Sequence, residues 1–362
     1  MPRPSHENPE KMNTEHPHQP PSPALRLEVD GQALRNNWRS LDRLSGTARA
    51  GAAVKANAYG ISARAVVPRL LEAGCRDFFV AHPLEAAEVL DLLPPVGLSV
   101  LHGPLTAGDA AWMRAAGVKP VINSLPQAQR WLEAGGGRCD LMIDTGMNRL
   151  GLPLAEVGAE AIAALDVDVL LSHLVAADED VGLNALQLSR WREACGLVRH
   201  RRASLANSAG IALGAQYAGD LTRPGLSLYG GVPRPELAGI IAQVARPQAA
   251  ILQVREVSAG DTLGYSATFT APSSMRVGTI ALGYADGFLR CWSGIGVLRA
   301  AGKALPVLGR VSMDMTIIDL SAAPELREGD WAELDYDLPA AAQKSGLSQY
   351  ELLTILGRRF AR

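Results

Sequence analysis

Apolar and polar positions first fall into a regular pattern at 25–29, where Leu25, Leu27 and Val29 alternate with Arg26 and Glu28, as in a half-exposed strand. A second rhythm starts at residue 50. Short apolar runs recur near 52–55, 78–81, 99–101, 119–122, 141–143, 169–172, 204–206 and 227–229. Longer amphipathic stretches rich in Ala and Leu separate them at 62–73, 83–92, 106–116, 126–134, 154–164 and 184–198, and these read as helices. A further helix is expected over 236–244. Strand and helix in strict alternation predict a parallel sheet with right-handed crossovers. Eight strands in so short a span favour closure as a (β/α)8 TIM-type barrel over an open doubly wound sheet. No G-x-G-x-x-G follows the first strand, which argues against a dinucleotide site.

After about residue 245 the long helical stretches stop. Strand-like runs at 250–257, 274–282, 296–299, 305–312, 315–320 and 331–334 are punctuated by Gly, Pro and Asp, the pattern of a small all-β unit, and a short helix is expected over 349–356. The predicted division is a disordered tail over 1–23, a barrel over 24–245 and a C-terminal all-β domain over 246–362, with residues near 25–30 as candidates to join the latter. The tail is rich in Pro, His, Glu and Asn and lacks the apolar stretch of a secretory signal.

Composition narrows the function classes. The 362 residues are 48% hydrophobic and 20% charged, which suits an enzyme with a full core. A net charge of −2 offers nothing for nucleic acid or an anionic membrane, and no apolar run approaches the roughly 18 residues of a membrane span. Cys75, Cys139, Cys195 and Cys291 lie far apart with no ligand-like spacing, which predicts inert thiols in a reducing cytoplasm and no metal site.

In a barrel of this type, functional groups gather at the C-terminal ends of the strands. The first run ends on Lys55, followed by Ala-Asn-Ala-Tyr59-Gly60. A lysine there is costly when charged, and a neutral amine or a covalent partner relieves the cost. Asp144-Thr145-Gly146-Met147-Asn148-Arg149 follows the fifth run, His173 the sixth and Asn207-Ser208 the seventh, while Arg223-Pro224-Gly225-Leu226 leads into the eighth. Singly, each has an ordinary structural explanation. Their joint placement at one mouth is what points to catalysis.

Several of these stretches, in this order, resemble the alanine racemases: Val54-Lys55-Ala56-Asn57-Ala58-Tyr59-Gly60, Asp144-Thr145-Gly146-Met147, Arg149-Leu150-Gly151, Ala206-Asn207-Ser208, Arg223-Pro224-Gly225, Gly283-Tyr284-Ala285-Asp286-Gly287 and Gly309-Arg310-Val311-Ser312-Met313-Asp314. The resemblance implies a pyridoxal-phosphate enzyme that interconverts L- and D-alanine, as a source of D-alanine for peptidoglycan. Lys55 would hold pyridoxal 5'-phosphate. Tyr59, Ser208, Gly225, Leu226 and Tyr350 would hold its phosphate, and His173 would pack near the pyridine ring. Arg223 would face the pyridine nitrogen. A guanidinium can only donate a hydrogen bond there, so the cofactor is a weaker electron sink than one facing a carboxylate. Lys55 and Tyr265 would be the two catalytic acid/bases, one on each face of the substrate Cα. Arg149, Met313 and Asp314 would bind substrate. Tyr265, Met313 and Asp314 would come from the partner chain of a homodimer with shared active sites.

Two departures stand out. The family commonly places a carbamylated lysine where this chain has Met142, so Arg149 needs another counter-ion, for which a bound chloride is a candidate. The family's His-Gly after Gly60 is replaced by Ile61-Ser62, and Ser62 reads as a helix N-cap. The alternatives are a racemase of a different or broader amino-acid range, a decarboxylase of the same architecture, and a non-catalytic pyridoxal-phosphate carrier. The all-β domain with Tyr265 argues against the carrier. Arg223, and the lack of a cysteine near Tyr265 or Met313, argue against the decarboxylase.

Overall fold

In a computed structural model, which describes residues 23–361, two sheets organise the chain. The tail expected over 1–23 lies outside the described residues, save residue 23. Seven short parallel strands pair side by side in chain order: Ala52–Ala53, Phe78–Val80, Leu98–Val100, Lys119–Ile122, Arg138–Asp144, Asp166–Leu171 and Arg202–Ser204. The eighth, Leu221–Thr222, pairs with Arg49–Ala50, which lies one residue ahead of the first strand. Gly51 N donates to Thr222 O at 2.9 Å, and Arg223 N to Ala206 O at 2.8 Å, so the eighth strand is bonded on both sides and the ring closes.

The expected run at 227–229 is not the eighth strand. Leu226–Tyr229 is a 3-10 turn, and the strand lies ahead of it at Leu221–Thr222. Arg223-Pro224-Gly225 therefore follows the strand rather than leading into it. Leu228 and Tyr229 are fully buried, and the Tyr229 hydroxyl donates to Ala53 O at 2.8 Å. Their burial in a tight turn imitates a strand's apolar pattern. The helix expected over 236–244 reduces to the turn Pro235–Leu237, that over 83–92 to Pro83–Ala87, and that over 154–164 to Leu154–Glu156 and Glu160–Ala163.

Local chemistry explains where the helices begin and end. Thr106 and Asp109 form a reciprocal capping box at the start of Ala107–Ala116, and Gly117 closes it in the left-handed region. Ser62 caps Ala63–Ala73, as expected. A helix not anticipated, Gly31–Leu44, is capped by Asp30, whose carboxylate accepts from Gln32 N and Ala33 N. It buries Leu34, Trp38 and Leu41. At the N-terminal end of the barrel, Lys119 is buried against Asp168 at 2.7 Å and Asp140 at 3.5 Å, and Arg202 joins Asp168 to Asp77. Both cations of that layer are paired internally.

In the second sheet, the long strand Ala245–Val257 pairs antiparallel with Met275–Ile280, followed by Thr316–Asp319, Lys303–Leu308, Val297–Ala300 and Trp331–Leu334. Trp331–Leu334 returns to pair with Ala245–Val257, closing an antiparallel ring. Leu25–Val29 adds to the near half of that long strand, Leu25 facing Ala249 and Val29 facing Ala245. Two helices, Leu338–Ser345 and Gln349–Thr354, follow; the first was not anticipated. Among the described residues no helix is long and apolar enough to cross a membrane.

Candidate active site

The first barrel strand does not end in an ordinary turn. Ala56, Asn57, Ala58 and Tyr59 all have φ between 52° and 55°, a left-handed helical turn built without glycine. Such a conformation costs roughly 1–2 kcal/mol per residue. Neighbouring bonds hold it. Ala58 N donates to Val54 O at 2.8 Å, the Asn57 side chain accepts from Ala63 N at 2.8 Å, and Glu85 accepts from Ala56 N at 2.7 Å. Gly60 closes the turn at φ 84°, where a Cβ would lie 2.5 Å from Leu353 O. The turn is thereby wedged against the helix that carries Tyr350.

Lys55 and Tyr59 project from this turn into a cavity of about 1660 Å³ at the C-terminal ends of the strands. Met142, Arg149, His173, Ser208, Arg223, Gly225, Leu226 and Tyr350 line the same cavity. Ten of the residues singled out from the sequence, Met142 included, are thus gathered in one place.

Burial lowers the Lys55 amine's pKa from its ordinary value; Arg149 and Arg223 lower it further, and Glu85 opposes them. The Arg223 guanidinium is buried and has no ion pair among the described residues. It donates to Ser204 Oγ, to Ser172 O and, at 3.4 Å, to Leu205 O. Burial pulls its pKa down to about 10, so it remains a cation at neutral pH. His173 is pushed down to about 3, by burial first and then by Arg223, Arg149 and Lys55, and stays neutral.

Opposite the Lys55 turn, Ser208 opens a short helix after the seventh strand, and its Oγ accepts from Gly225 N at 3.0 Å and Ser227 N at 3.2 Å. The Tyr59 ring lies 5.0 Å from Tyr229 and 6.3 Å from Tyr350. Burial raises the pKa of the Tyr59 and Tyr350 phenols, so both stay protonated and can donate. Hydroxyls and backbone N–H groups beside a glycine make a cradle for an oxyanion.

Arg149 lines the mouth and makes no ion pair with a carboxylate among the described residues. Met142 packs among Phe79, Val121, Val169, Leu171 and Leu221 inside the barrel. The thioether side therefore offers an apolar surface and no negative charge.

Tyr265, Met313 and Asp314 do not line this cavity. They lie together on the second unit, with Tyr265 67% and Met313 53% exposed. Arg310 reaches Ser266 Oγ at 3.1 Å, tying the Tyr265 turn to the Met313 loop, and Arg359 joins Asp314 to Asp286. Asn207, from the Ala206-Asn207-Ser208 stretch, lines the cavity too, and so do Glu85, His82 and His102, which were not singled out from the sequence. The Asn207 side chain caps the Ser208 helix by accepting from Gly210 N. Glu85 had no signal beyond being an acid early in a helix.

A lysine on a strained turn, an oxyanion cradle and a buried guanidinium, all at one barrel mouth, define a barrel enzyme built for a phosphorylated carbonyl cofactor. The family description "Alanine racemase, N-terminal domain" matches residues 29–233, and "Alanine racemase, C-terminal domain" matches 244–362. The chain belongs to the alanine racemase family. It is 42% identical over 354 residues to the alanine racemase of Rhodospirillum rubrum, covering 93% of this chain and 94% of that protein. The crystal structure of alanine racemase from Bartonella henselae with covalently bound pyridoxal phosphate superposes with a TM-score of 0.86 at 31% identity, covering 94% of this chain and 99% of that one. The biosynthetic enzyme of Pseudomonas aeruginosa matches with a TM-score of 0.84 at 33% identity, over 94% and 98%.

Proposed function

We propose that this protein interconverts L- and D-alanine with pyridoxal 5'-phosphate, using Lys55 and Tyr265 as acid/bases on opposite faces of the substrate Cα. The observation that carries the site assignment is the convergence of Lys55, the Ser208–Gly225 cradle and Arg223 on one cavity. The residues present fit the cofactor. A Cβ on Gly225 would fall 2.2 Å from the Tyr59 hydroxyl oxygen, so the backbone there is open to close approach only because it is glycine. Tyr59, Ser208, Gly225, Leu226 and Tyr350 would hold the phosphate, Lys55 the carbonyl carbon, Arg223 the ring nitrogen, and His173 the ring face. When bound, the cofactor acidifies the substrate's Cα–H by withdrawing electrons.

The protein's own groups then decide the outcome. Lys55 Nζ, its pKa lowered by burial and by two guanidinium groups, can take and return a proton on one face. Tyr265 Oη is assigned the other face. Arg149 orients the substrate carboxylate, and Met313 and Asp314 line the substrate site. Neutral His173 and cationic Arg223 would offer the ring nitrogen a hydrogen-bond donor and no acid to protonate it.

Tyr265 stands outside the cavity of its own chain. We assign it, with Met313 and Asp314, to the cavity of a second copy, in a homodimer that shares its sites. The exposed apolar rim of the mouth, Leu84, Leu105 and Leu150, and the exposed Tyr265, Met313 and Met315 support this pairing. We also infer a cytoplasmic setting and a use of D-alanine in peptidoglycan; the four free cysteines fit a reducing compartment.

The test is borohydride reduction of purified yellow protein followed by peptide mapping, with circular dichroism of L-alanine incubations. Label on Lys55 and loss of optical activity are expected. A different labelled lysine, or a signal that never decays, overturns the assignment.

A further inference from the structure

Glu85 lies in the short helix Pro83–Ala87, just after the second barrel strand, and lines the cavity that contains Lys55. Both of its carboxylate oxygens are in use. Oε1 accepts from Ala56 N at 2.7 Å, and Oε2 accepts from Ala81 N at 2.7 Å and His82 N at 3.3 Å. Ala56 is the residue after Lys55 and the first of the left-handed turn. One side chain therefore joins the peptide behind Lys55 to the end of the neighbouring strand.

We propose that Glu85 is a positioning residue for racemisation, whose carboxylate pins the turn behind Lys55 and so fixes where the Lys55 amine stands in the cavity. The inference rests on the assignment of Lys55 as the cofactor-bearing base. Three points favour a role beyond general stability. The clamped backbone is the left-handed segment that aims Lys55, and an N–H left without its acceptor there gives the turn a reason to relax. The clamp is charge-assisted on both oxygens, which makes it short and directional. Glu85 is also the acid acting on the Lys55 amine, against Arg149 and Arg223, with His173 and His102 the remaining titratable groups coupled to it.

Two substitutions separate position from charge. Glu85→Gln keeps the length but loses the charge and turns an amide NH2 toward one set of N–H groups. Glu85→Asp keeps the charge and is too short to span both. Both are expected to lower kcat roughly 10- to 100-fold, as a misplaced reacting group does, with KM for alanine little changed. The second readout is Lys55 alone. In the full chain stripped of cofactor, reductive methylation of Lys55 is followed by mass spectrometry across pH. Its midpoint should move to lower pH in Glu85→Gln and stay near wild type in Glu85→Asp. Wild-type kcat in both variants overturns the proposal. So does a kcat loss that merely follows a lowered melting temperature while the Lys55 midpoint in Glu85→Gln is unmoved. Borohydride labelling of the wild type at another lysine would instead sink the Lys55 assignment itself, whatever the Glu85 variants do.

Discussion

Tyr59 and Gly225 come from opposite ends of the barrel sequence, yet no side chain of any size fits between them: a Cβ on Gly225 would stand 2.2 Å from Tyr59 Oη and 3.3 Å from Ala53 Cβ. Gly225→Ala should push the phenol out of the phosphate cradle. Losing one hydrogen bond to a charged group is worth about 1.5–3 kcal/mol, or roughly 10- to 150-fold in cofactor Kd. Equilibrium dialysis of the cofactor against the variant and wild type measures this, and Tyr59→Phe should fall in the same range. Equal affinities would place the phosphate elsewhere.

The separation of Tyr265 from Lys55 within one chain makes a complementation experiment decisive. Lys55→Ala and Tyr265→Ala chains should each be inactive, and mixing them under conditions of subunit exchange should restore activity. Tyr265→Phe should lower racemisation by about 10²–10⁴-fold. Isotope exchange at Cα, followed by NMR, should persist for one enantiomer and vanish for the other. Equal loss for both enantiomers would reject the two-base assignment.

Arg149 and Met142 line the same cavity, and at Met142 this chain has no negative charge to hold the guanidinium. A small anion beside Met142 would supply that charge, and chloride is the simplest. KM for alanine should then fall with chloride at constant ionic strength, beyond what screening explains. Met142→Lys should weaken the dependence once carbon dioxide carbamylates the new amine. A KM indifferent to chloride would show that Arg149 works unpaired.

His173 gives a stability prediction with a definite sign. Its pKa is about 3 in the folded protein against an ordinary 6.5. Between those values the unfolded chain binds more protons than the folded one, so folding stability rises with pH across that window and is lost on acidification. Above about 6.5 the contribution is flat. His173→Gln should reduce the slope between pH 3 and 6.5 in denaturant titrations and leave it unchanged above. An unaltered slope would mean that His173 is accessible to protons in the folded state.

Most of the barrel was legible because its strands are buried on both faces and its helices on one, and the two periods differ. The eighth strand was misplaced for a physical reason. Leu221–Thr222 is too short to leave a pattern, whereas Leu226–Tyr229 is apolar because Tyr229 packs beside Lys55's own strand. The Gly31–Leu44 helix did leave a signal, Asp30 as cap and Leu34, Trp38 and Leu41 at helical spacing, beneath a majority of polar residues. The cavity residues were legible where a motif carried them. Glu85 was not, since its meaning depends on an N–H that points its way only once Ala56 turns left-handed. Asn57 tolerates that conformation, but Ala56, Ala58 and Tyr59 give no forecast of it.

The pairing of Leu25–Val29 with Ala245–Val257 has a consequence for how the protein is made. The first strand belongs to the sheet whose other strands are encoded last, and it is also bonded to Ala361, whose O accepts from Leu27 N at 2.7 Å. During synthesis this strand leaves the ribosome with nothing to pair with until the whole barrel has been translated. At 5–20 residues per second that wait is roughly 10–40 seconds, ample for the barrel to fold first. The barrel is then a loop, in the topological sense, inserted between two neighbouring strands of a smaller host. A gene fragment cut at the apparent boundary would release the host with one edge strand missing.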